Sequence, residues 1–526
     1  MPNMPPRLYL GAILSALLQI LTFPLEGPAP WARRLLCWVC LTPLLWALLS
    51  RKSSKTLGES ILLGYLCGVL WYLGNCYWIY QTMYLYGGIA KPVSLLILLL
   101  FAFYLGLYHA LFGAAVGWLR LRFSAFAALC LSPFCWVAVE LARSRITGFP
   151  WDLLGGSLVD ASAARAIAPV AGAMGVSLLI AAVNAGILFF FLACRRERSR
   201  RRKTLLIPLA VLLLLVISLS SLRGKGSVAE TTAHAVLLQE NLGVGSQASG
   251  PQETEEQLLA DFSARSQAAA RSQQEAIILW PEAPAPFQDN DPEFRSSLGA
   301  LARTVHAPVI ADALGVNQDS TQLEGYRLYN SADVFDAEGD KIGRYDKMHL
   351  VPFGEYVPYK QIFFFAGNLL QNVGRFTPGR QRKVFTLAGR RYGVFICYES
   401  IFGDEIRQFV DQGAEVLVNL SDDGWYGDTS APWEHLDMVR MRAIENHRWI
   451  LRATNTGISA AISPEGVVTT EIPRHKRLAT RVAFGFEQGT SFYTRHGDWI
   501  AWICALVVAV AVAVGELRPR VLRMSR

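Results

Sequence analysis

From Arg7 to about Leu222 the chain passes through one long apolar run after another. Runs of about 18 or more apolar residues are long enough to cross the hydrocarbon core of a bilayer as helices. About eight such runs occur, at 8–26, 33–50, 58–80, 93–119, 124–142, 165–193, 204–222 and 498–516. Backbone amides and carbonyls inside hydrocarbon must be satisfied within the segment itself, so these runs are committed to helix. From about Gly226 to Thr490 the composition turns to that of an ordinary globular domain. The expected organisation is a seven-span bundle over 1–225, a globular domain over 226–490, and a last span with a basic tail over 491–526. The first run lacks a small-x-small cleavage site and more runs follow it, so it reads as a span rather than a cleaved signal.

Charge orients the spans. With the N-terminus in the cytoplasm, the cytoplasmic segments hold Arg7, Arg51, Lys52, Lys55, Arg120, Arg122, the run Arg195 to Lys203, and the tail with Arg518, Arg520, Arg523 and Arg526. The opposite loops hold fewer: Arg33, Arg34, Lys91, Arg143, Arg145, Arg165, Arg223 and Lys225. The excess of cations predicts both termini in the cytoplasm and the globular domain on the outer face. The net charge of +8 is then a topology signal and not a nucleic-acid surface. The Arg195–Lys203 run also suits anionic lipid headgroups.

Nine cysteines are present, and eight of them lie in or beside apolar runs. Cys397 alone stands in the globular domain, in Tyr392-Gly-Val-Phe-Ile-Cys-Tyr-Glu-Ser400. Structural cysteines outside the cell usually come in bridged pairs. A lone thiol there is either a small buried hydrophobe or a nucleophile.

Strand-like runs in this domain alternate with helical ones, which predicts layered α/β packing with added hairpins. Three reactive residues each follow a strand: Glu282 after Ile277–Trp280, Lys347 after the hairpin strand ending at Asp346, and Cys397 after Val394–Ile396. Sites in α/β sheets gather at strand ends. A carboxylate can take a thiol's proton, and an ammonium can stabilise the oxyanion of acyl transfer. A helix starting after Cys397 would favour its thiolate. Each residue also has a plainer reading, Glu282 as a solvated loop acid and Lys347 as a solvated charge. Glu355 and Glu399 read equally as surface acids, and Trp425 as a core anchor. His349 or His435 could approach Cys397 in space, so a Cys–His pair stays open. No metal-ligand spacing and no phosphate-binding glycine loop is present, so no cofactor or metal is expected.

The blocks Trp280-Pro-Glu-Ala, Tyr345-Asp-Lys-Met-His-Leu-Val-Pro-Phe-Gly-Glu-Tyr356 and Ile396-Cys-Tyr-Glu399 resemble the Glu-Lys-Cys signature of the nitrilase (carbon–nitrogen hydrolase) superfamily, over about residues 232–486. The many spans, with Thr147-Gly-Phe-Pro-Trp151 and Asp422-Asp-Gly-Trp-Tyr-Gly427, make the whole chain resemble the membrane branch of that superfamily, the apolipoprotein N-acyltransferases. The resemblance implies an αββα sandwich, with Cys397 as acyl-accepting nucleophile, Glu282 as general base and Lys347 as stabiliser of the tetrahedral intermediate. It implies supporting roles for Glu355 and Glu399, and for Tyr398 and Trp425 as residues lining the site.

It further implies ping-pong transfer of a fatty acyl chain from a phospholipid donor, through a thioester, to a diacylglyceryl-modified apolipoprotein. The setting would be the bacterial inner membrane with the catalytic domain in the periplasm, and the enzyme a monomer needing no nucleic acid. Lipid substrates suit a membrane enzyme, because moving acyl chains into water costs about 0.8 kcal/mol per CH₂. Within this frame Phe363–Phe365 reads either as core or as a lid that dips into the lipid surface beside the site. Phe149 and Trp151 are expected to act as interfacial anchors, and His109 and Glu140 to make structural contacts inside the spans. Two rivals remain: a membrane-tethered amidase that passes its acyl group to water, and a transporter or receptor whose outer domain only binds ligand.

Overall fold

The structure, a computed structural model, describes residues 4–25, 27, 31–50, 56–196, 207–222, 230–245, 253–270, 276–282, 285, 287–321, 325–356 and 376–517. The proposed lid at Phe363–Phe365, most of the Arg195–Lys203 run and the basic tail lie outside the described residues. The chain forms two compact units, one of 1–77, 95–224 and 498–526, the other of 78–94 and 225–497.

The first unit is helical. Among the described residues, six helical stretches are long and apolar enough to cross a membrane: Ala32–Leu49, Leu57–Asn75, Lys91–Arg122, Ala125–Thr147, Ser162–Arg195 and Trp499–Leu517. The expected first and seventh spans appear as shorter apolar helices, Pro6–Thr22 and Ile207–Ser221. Leu96, Leu100, Phe103, Leu107 and Leu111 of one long helix are exposed, an apolar stripe suited to hydrocarbon. The second stretch is broken into Trp31–Arg34, a 3₁₀ turn Leu35–Trp38, and Thr42–Leu49. Pro43 stands in the first turn of the last piece, where a missing amide is tolerated, and Asn184 Oδ1 accepts from the Leu41 and Thr42 amides at that helix start at 2.9 and 3.0 Å.

His109 and Glu140 are buried in this unit. Glu140 Oε1 accepts from Trp136 Nε1 at 3.1 Å and from the Leu154 amide at 2.9 Å. The His109 ring lies 5.3 Å from both Trp71 and Trp136. Phe149 and Trp151 differ from expectation. They are 8% and 1% exposed and stack at 6.0 Å, with Phe101 edge-on to Phe149 at 5.2 Å. They are packing residues inside the helical unit, because the aromatic cluster there buries them more completely than an interface would.

Among the described residues, the second unit holds twelve strands: β1 (Ala233–Gln239), β2 (Ile277–Trp280), β3 (Val309–Gln318), β4 (Tyr326–Phe335), β5 (Lys341–Asp346), β6 (Val384–Leu387), β7 (Arg390–Ile396), β8 (Val416–Ser421), β9 (Ile450–Thr454), β10 (Ser459–Ile462), β11 (Val468–Ile472) and β12 (Leu478–Phe484). They form two six-stranded sheets, ordered β12-β1-β2-β3-β4-β5 and β11-β10-β9-β8-β7-β6. In each sheet three adjacent strands run parallel, β1-β2-β3 and β7-β8-β9, flanked by antiparallel neighbours.

Alternation along the strands sets the layers. Ala235, Leu237, Ile277, Leu279 and Ile310 pack in one cluster with Val394, Ile396, Val418 and Leu451 of the other sheet. Their neighbours Val236, Leu238, Ile278, Trp280 and Val309 face helices Glu255–Ala269 and Pro292–Val305. Helices Gly403–Asp411 and Ala431–Asn446 cover the second sheet through Ile406, Phe409, Leu436 and Val439. Strands buried on both faces read as unbroken apolar runs, as in Ala276-Ile-Ile-Leu-Trp280. The result is the helix–sheet–sheet–helix sandwich that the resemblance implied.

One boundary moved. The expected third span, 58–80, ends as helix at Asn75, and residues 78–94 belong to the globular unit. There Trp78 packs edge-on to Tyr426 at 5.1 Å, so an aromatic run that scores as apolar is used against a protein surface.

Candidate active site

Parallel strands end on the same side of a sheet, and here the ends of β2, β7 and β8 meet. Glu282 follows β2, Lys347 follows β5, and Cys397 follows β7. Lys347 is 1% exposed. Its Nζ lies 3.0 Å from Glu282 Oε1 and 2.9 Å from Glu355 Oε1. Burial opposes its charge, but Glu282, Glu355 and Cys397 prevail and hold its pKa well above the ordinary lysine value. It is an ammonium at any physiological pH.

Asn330, which sequence reasoning missed, ties the two carboxylates together. Its Nδ2 donates to Glu282 Oε1 at 2.7 Å and to Glu355 Oε1 at 2.8 Å. The other oxygen of each acid is fixed by a backbone amide: Glu282 Oε2 by Asp422 at 2.8 Å, and Glu355 Oε2 by Val351 at 2.7 Å. Two acids around one ammonium leave a net negative charge facing the thiol.

Burial and that charge together set the state of Cys397. Burial first, and then Glu282, raise its pKa well above the ordinary thiol value, against the opposing pull of Lys347. The expectation of a helix-stabilised thiolate therefore fails. A 3₁₀ turn, Cys397–Ile401, comes first, and the helix begins only at Gly403. The resting group is a neutral thiol beside a carboxylate that can take its proton. Cys397 has φ +47°, a left-handed conformation uncommon outside glycine and often kept at functional sites.

The surrounding acids hold this geometry. Glu399 is buried. Its Oε1 accepts from Tyr345 Oη at 2.7 Å, from the Met348 amide at 2.7 Å and from the His349 amide at 3.2 Å. Its Oε2 accepts from the Ile396 amide at 2.7 Å. One carboxyl thus joins the segment after Lys347 to the strand end before Cys397. Tyr398 is buried, edge-on to Phe402 at 5.4 Å. Trp425, expected to line the site, is 44% exposed, and its indole lies against Gly245.

The histidines settle differently. His349 pairs with Glu405 at 3.0 Å and stacks on Phe402. His435 is fully buried, with Nδ1 2.8 Å from Asp423 Oδ1. Its Nε2 lies 2.6 Å from Ser400 Oγ and 3.2 Å from the carbonyl oxygen of Cys397. Burial and then Arg452 lower its pKa, so it is neutral and serves the backbone of the turn. Arg452 completes this network through Asp423 Oδ2 at 2.6 Å and through Asn419. Asp423 is kept ionised by Arg452 and His435, which outweigh its burial. Among the described residues, no group of His, Cys, Asp and Glu is placed to hold a metal.

Two family models match the chain: carbon-nitrogen hydrolase over residues 244–481, and the apolipoprotein N-acyltransferase N-terminal domain over 15–186. An apolipoprotein N-acyltransferase of Geobacter metallireducens is 32% identical over 518 residues, covering 98% of this chain and 96% of the relative. The chain belongs to the apolipoprotein N-acyltransferase family. Another such N-acyltransferase, from Methylococcus capsulatus, is 32% identical over 490 residues, 90% of this chain and 92% of that one. Among solved structures, an amidase of the nitrilase superfamily from Nesterenkonia AN1 aligns with TM-score 0.37 and 18% identity, over 53% of this chain and 99% of its own. As a member of the N-acyltransferase family, the chain carries both the helical unit and the sandwich that the two models describe.

Proposed function

We propose that this protein moves a fatty acyl chain from a phospholipid, through a thioester on Cys397, to the α-amine of a diacylglyceryl-cysteine apolipoprotein. The observation that carries this is the buried Glu282–Lys347–Glu355 cluster beside a neutral thiol, in a chain that also has long apolar helices.

In the first half-reaction the Cys397 sulfur attacks the ester carbonyl while Glu282 takes the thiol proton. Lys347 holds the developing oxyanion. The C–O bond breaks, Glu282 returns the proton to the departing hydroxyl, and a lysophospholipid leaves. In the second, the neutral amine attacks the thioester and Glu282 takes its proton. The C–S bond breaks and the sulfur recovers that proton as a thiol. Ester and amine have become amide and alcohol, and the downhill step from thioester to amide needs no ATP. Two successive half-reactions through one covalent intermediate give ping-pong kinetics. A neutral resting thiol suits this scheme, since proton removal is coupled to attack and the thiol stays unreactive between turnovers.

The charge bias of the loops supports a site on the periplasmic face of the inner membrane, with both termini in the cytoplasm, and the reading needs no more than a monomer. Mass spectrometry of the protein purified from membranes tests the reading. A fatty acyl adduct on Cys397, chased onto an amine by a diacylglyceryl peptide, is expected. Label released as free fatty acid would instead make the protein a hydrolase.

A further inference from the structure

Residues 78–94 come from the membrane half of the sequence yet fold with the globular unit. A short helix Trp78–Gln81 runs into a π-helical turn Thr82–Tyr86, a rare geometry that is frequent at functional sites. This strap grips one loop. Thr82 Oγ1 donates to the Trp425 carbonyl at 2.9 Å. Trp78 packs edge-on to Tyr426 at 5.1 Å. Tyr86 presses on Gly427 and Gly245, both at positive φ, where an added Cβ would come within 2.5 and 2.3 Å of its atoms.

The gripped loop, 422–427, reaches the reactive groups from both of its ends. At its start the Asp422 amide fixes Glu282 Oε2 at 2.8 Å. At its close Tyr426 lies edge-on to His435 at 6.0 Å, and His435 touches the Cys397 carbonyl. Neither contact depends on Thr82 for its chemistry, but both depend on where the loop is held.

We infer that Thr82 is a positioning residue: its hydroxyl clamps the 422–427 loop so that the Asp422 amide presents Glu282 to the thiol. This deepens the acyl-transfer reading and rests on it for the substrate, though not for the clamp. Loss of one hydrogen bond of this kind is worth about 5-fold to 10-fold in the rate it controls.

The test compares Thr82→Val, which keeps the shape and removes the donor, with Thr82→Ser, which keeps the donor. Full-length protein in lipid nanodiscs is mixed with acyl-labelled phospholipid, and adduct formation on Cys397 is timed. Thr82→Val is expected to acylate about 5-fold to 10-fold more slowly at saturating lipid with KM little changed, and Thr82→Ser to recover most of that loss. Alkylation of Cys397 by iodoacetamide, read on its own peptide across pH, follows the Glu282–thiol pair without any lipid turnover. Its pH profile should move in Thr82→Val and return in Thr82→Ser. Should Thr82→Val fail to accumulate, Trp78→Phe is substituted and read in the same two ways. Unchanged acylation and alkylation in the variants overturns the clamp, as does a Thr82→Ser protein as slow as Thr82→Val. If wild type forms no acyl adduct while the alkylation profile still shifts, the clamp stands and the lipid reading falls.

Discussion

The Asp422 amide donates to Glu282 Oε2 at 2.8 Å, a hydrogen bond from the end of β8 in one sheet to the end of β2 in the other. It ties the two halves of the sandwich together at the candidate site, and it leaves Glu282 with one oxygen toward Lys347 and the other on the backbone. Neither residue adjoins the other in sequence, and neither sheet could orient the acid alone.

Glu282→Gln removes the proposed proton acceptor while keeping the shape and one hydrogen-bond acceptor. Its rate of acyl-adduct formation on Cys397 is expected to fall about 10²-fold to 10⁴-fold, the usual worth of a general base. Timed mass spectrometry of the Cys397 peptide checks it, and a near wild-type rate would remove Glu282 from the mechanism.

Asp422 carries a pH signature. Burial first, and then the neighbouring Glu282, push its carboxyl up to about 8. Glu240 and Asp423 add like charge nearby, while Arg452 and His435 are engaged by Asp423, Lys347 by Glu282, and Arg477 faces Glu240. A raised folded-state pKa gives stability that is full below the unfolded carboxyl value of about 4. That stability is lost as pH rises through about 8. Asp422→Asn cannot ionise, so its melting temperature should decline less than that of wild type between about pH 5 and pH 9. Parallel declines would place the titration elsewhere.

Arg452→Met keeps the bulk of a fully buried side chain but strips Asp423 of its guanidinium partner at 2.6 Å. An acid left in the core without that partner costs about 3–5 kcal/mol. Chemical denaturation of the purified protein should show a loss of that order, larger than for exposed pairs such as Arg477–Glu253, which are worth about 1 kcal/mol or less.

Gly427→Ala tests the strap from the loop side. Gly427 has φ +57° and ψ −153°, a region nearly reserved for glycine, and its new Cβ would lie 2.5 Å from the Tyr86 hydroxyl. A destabilisation of about 1–3 kcal/mol is expected. Combining it with Tyr86→Phe, which removes the clashing oxygen, should return part of that loss in a double-mutant cycle. Strict additivity would show that the strap and loop do not meet.

Apolar run length alone determined that much of this chain is helical and suited to a bilayer, because hydrocarbon leaves no other way to satisfy the backbone. Strand and turn patterns likewise marked where Glu282, Lys347 and Cys397 would stand, each one or two residues past a strand. What they could not carry was long-range pairing. Asn330 lies inside β4 and reads as an ordinary strand polar residue, and it becomes a bridge between two carboxylates only when β4 lies beside β3 and β5. His435 reads as a possible base for the thiol, and tertiary packing turns it toward Asp423 and the Cys397 carbonyl. The protonation of Cys397 was decided there too. Burial and net charge at a point belong to everything gathered around it, and the local sequence showed only the following turn. The Trp78–Ser94 strap is the clearest case. Its aromatic residues look apolar enough for a membrane, and only the surface they meet shows which apolar environment they occupy.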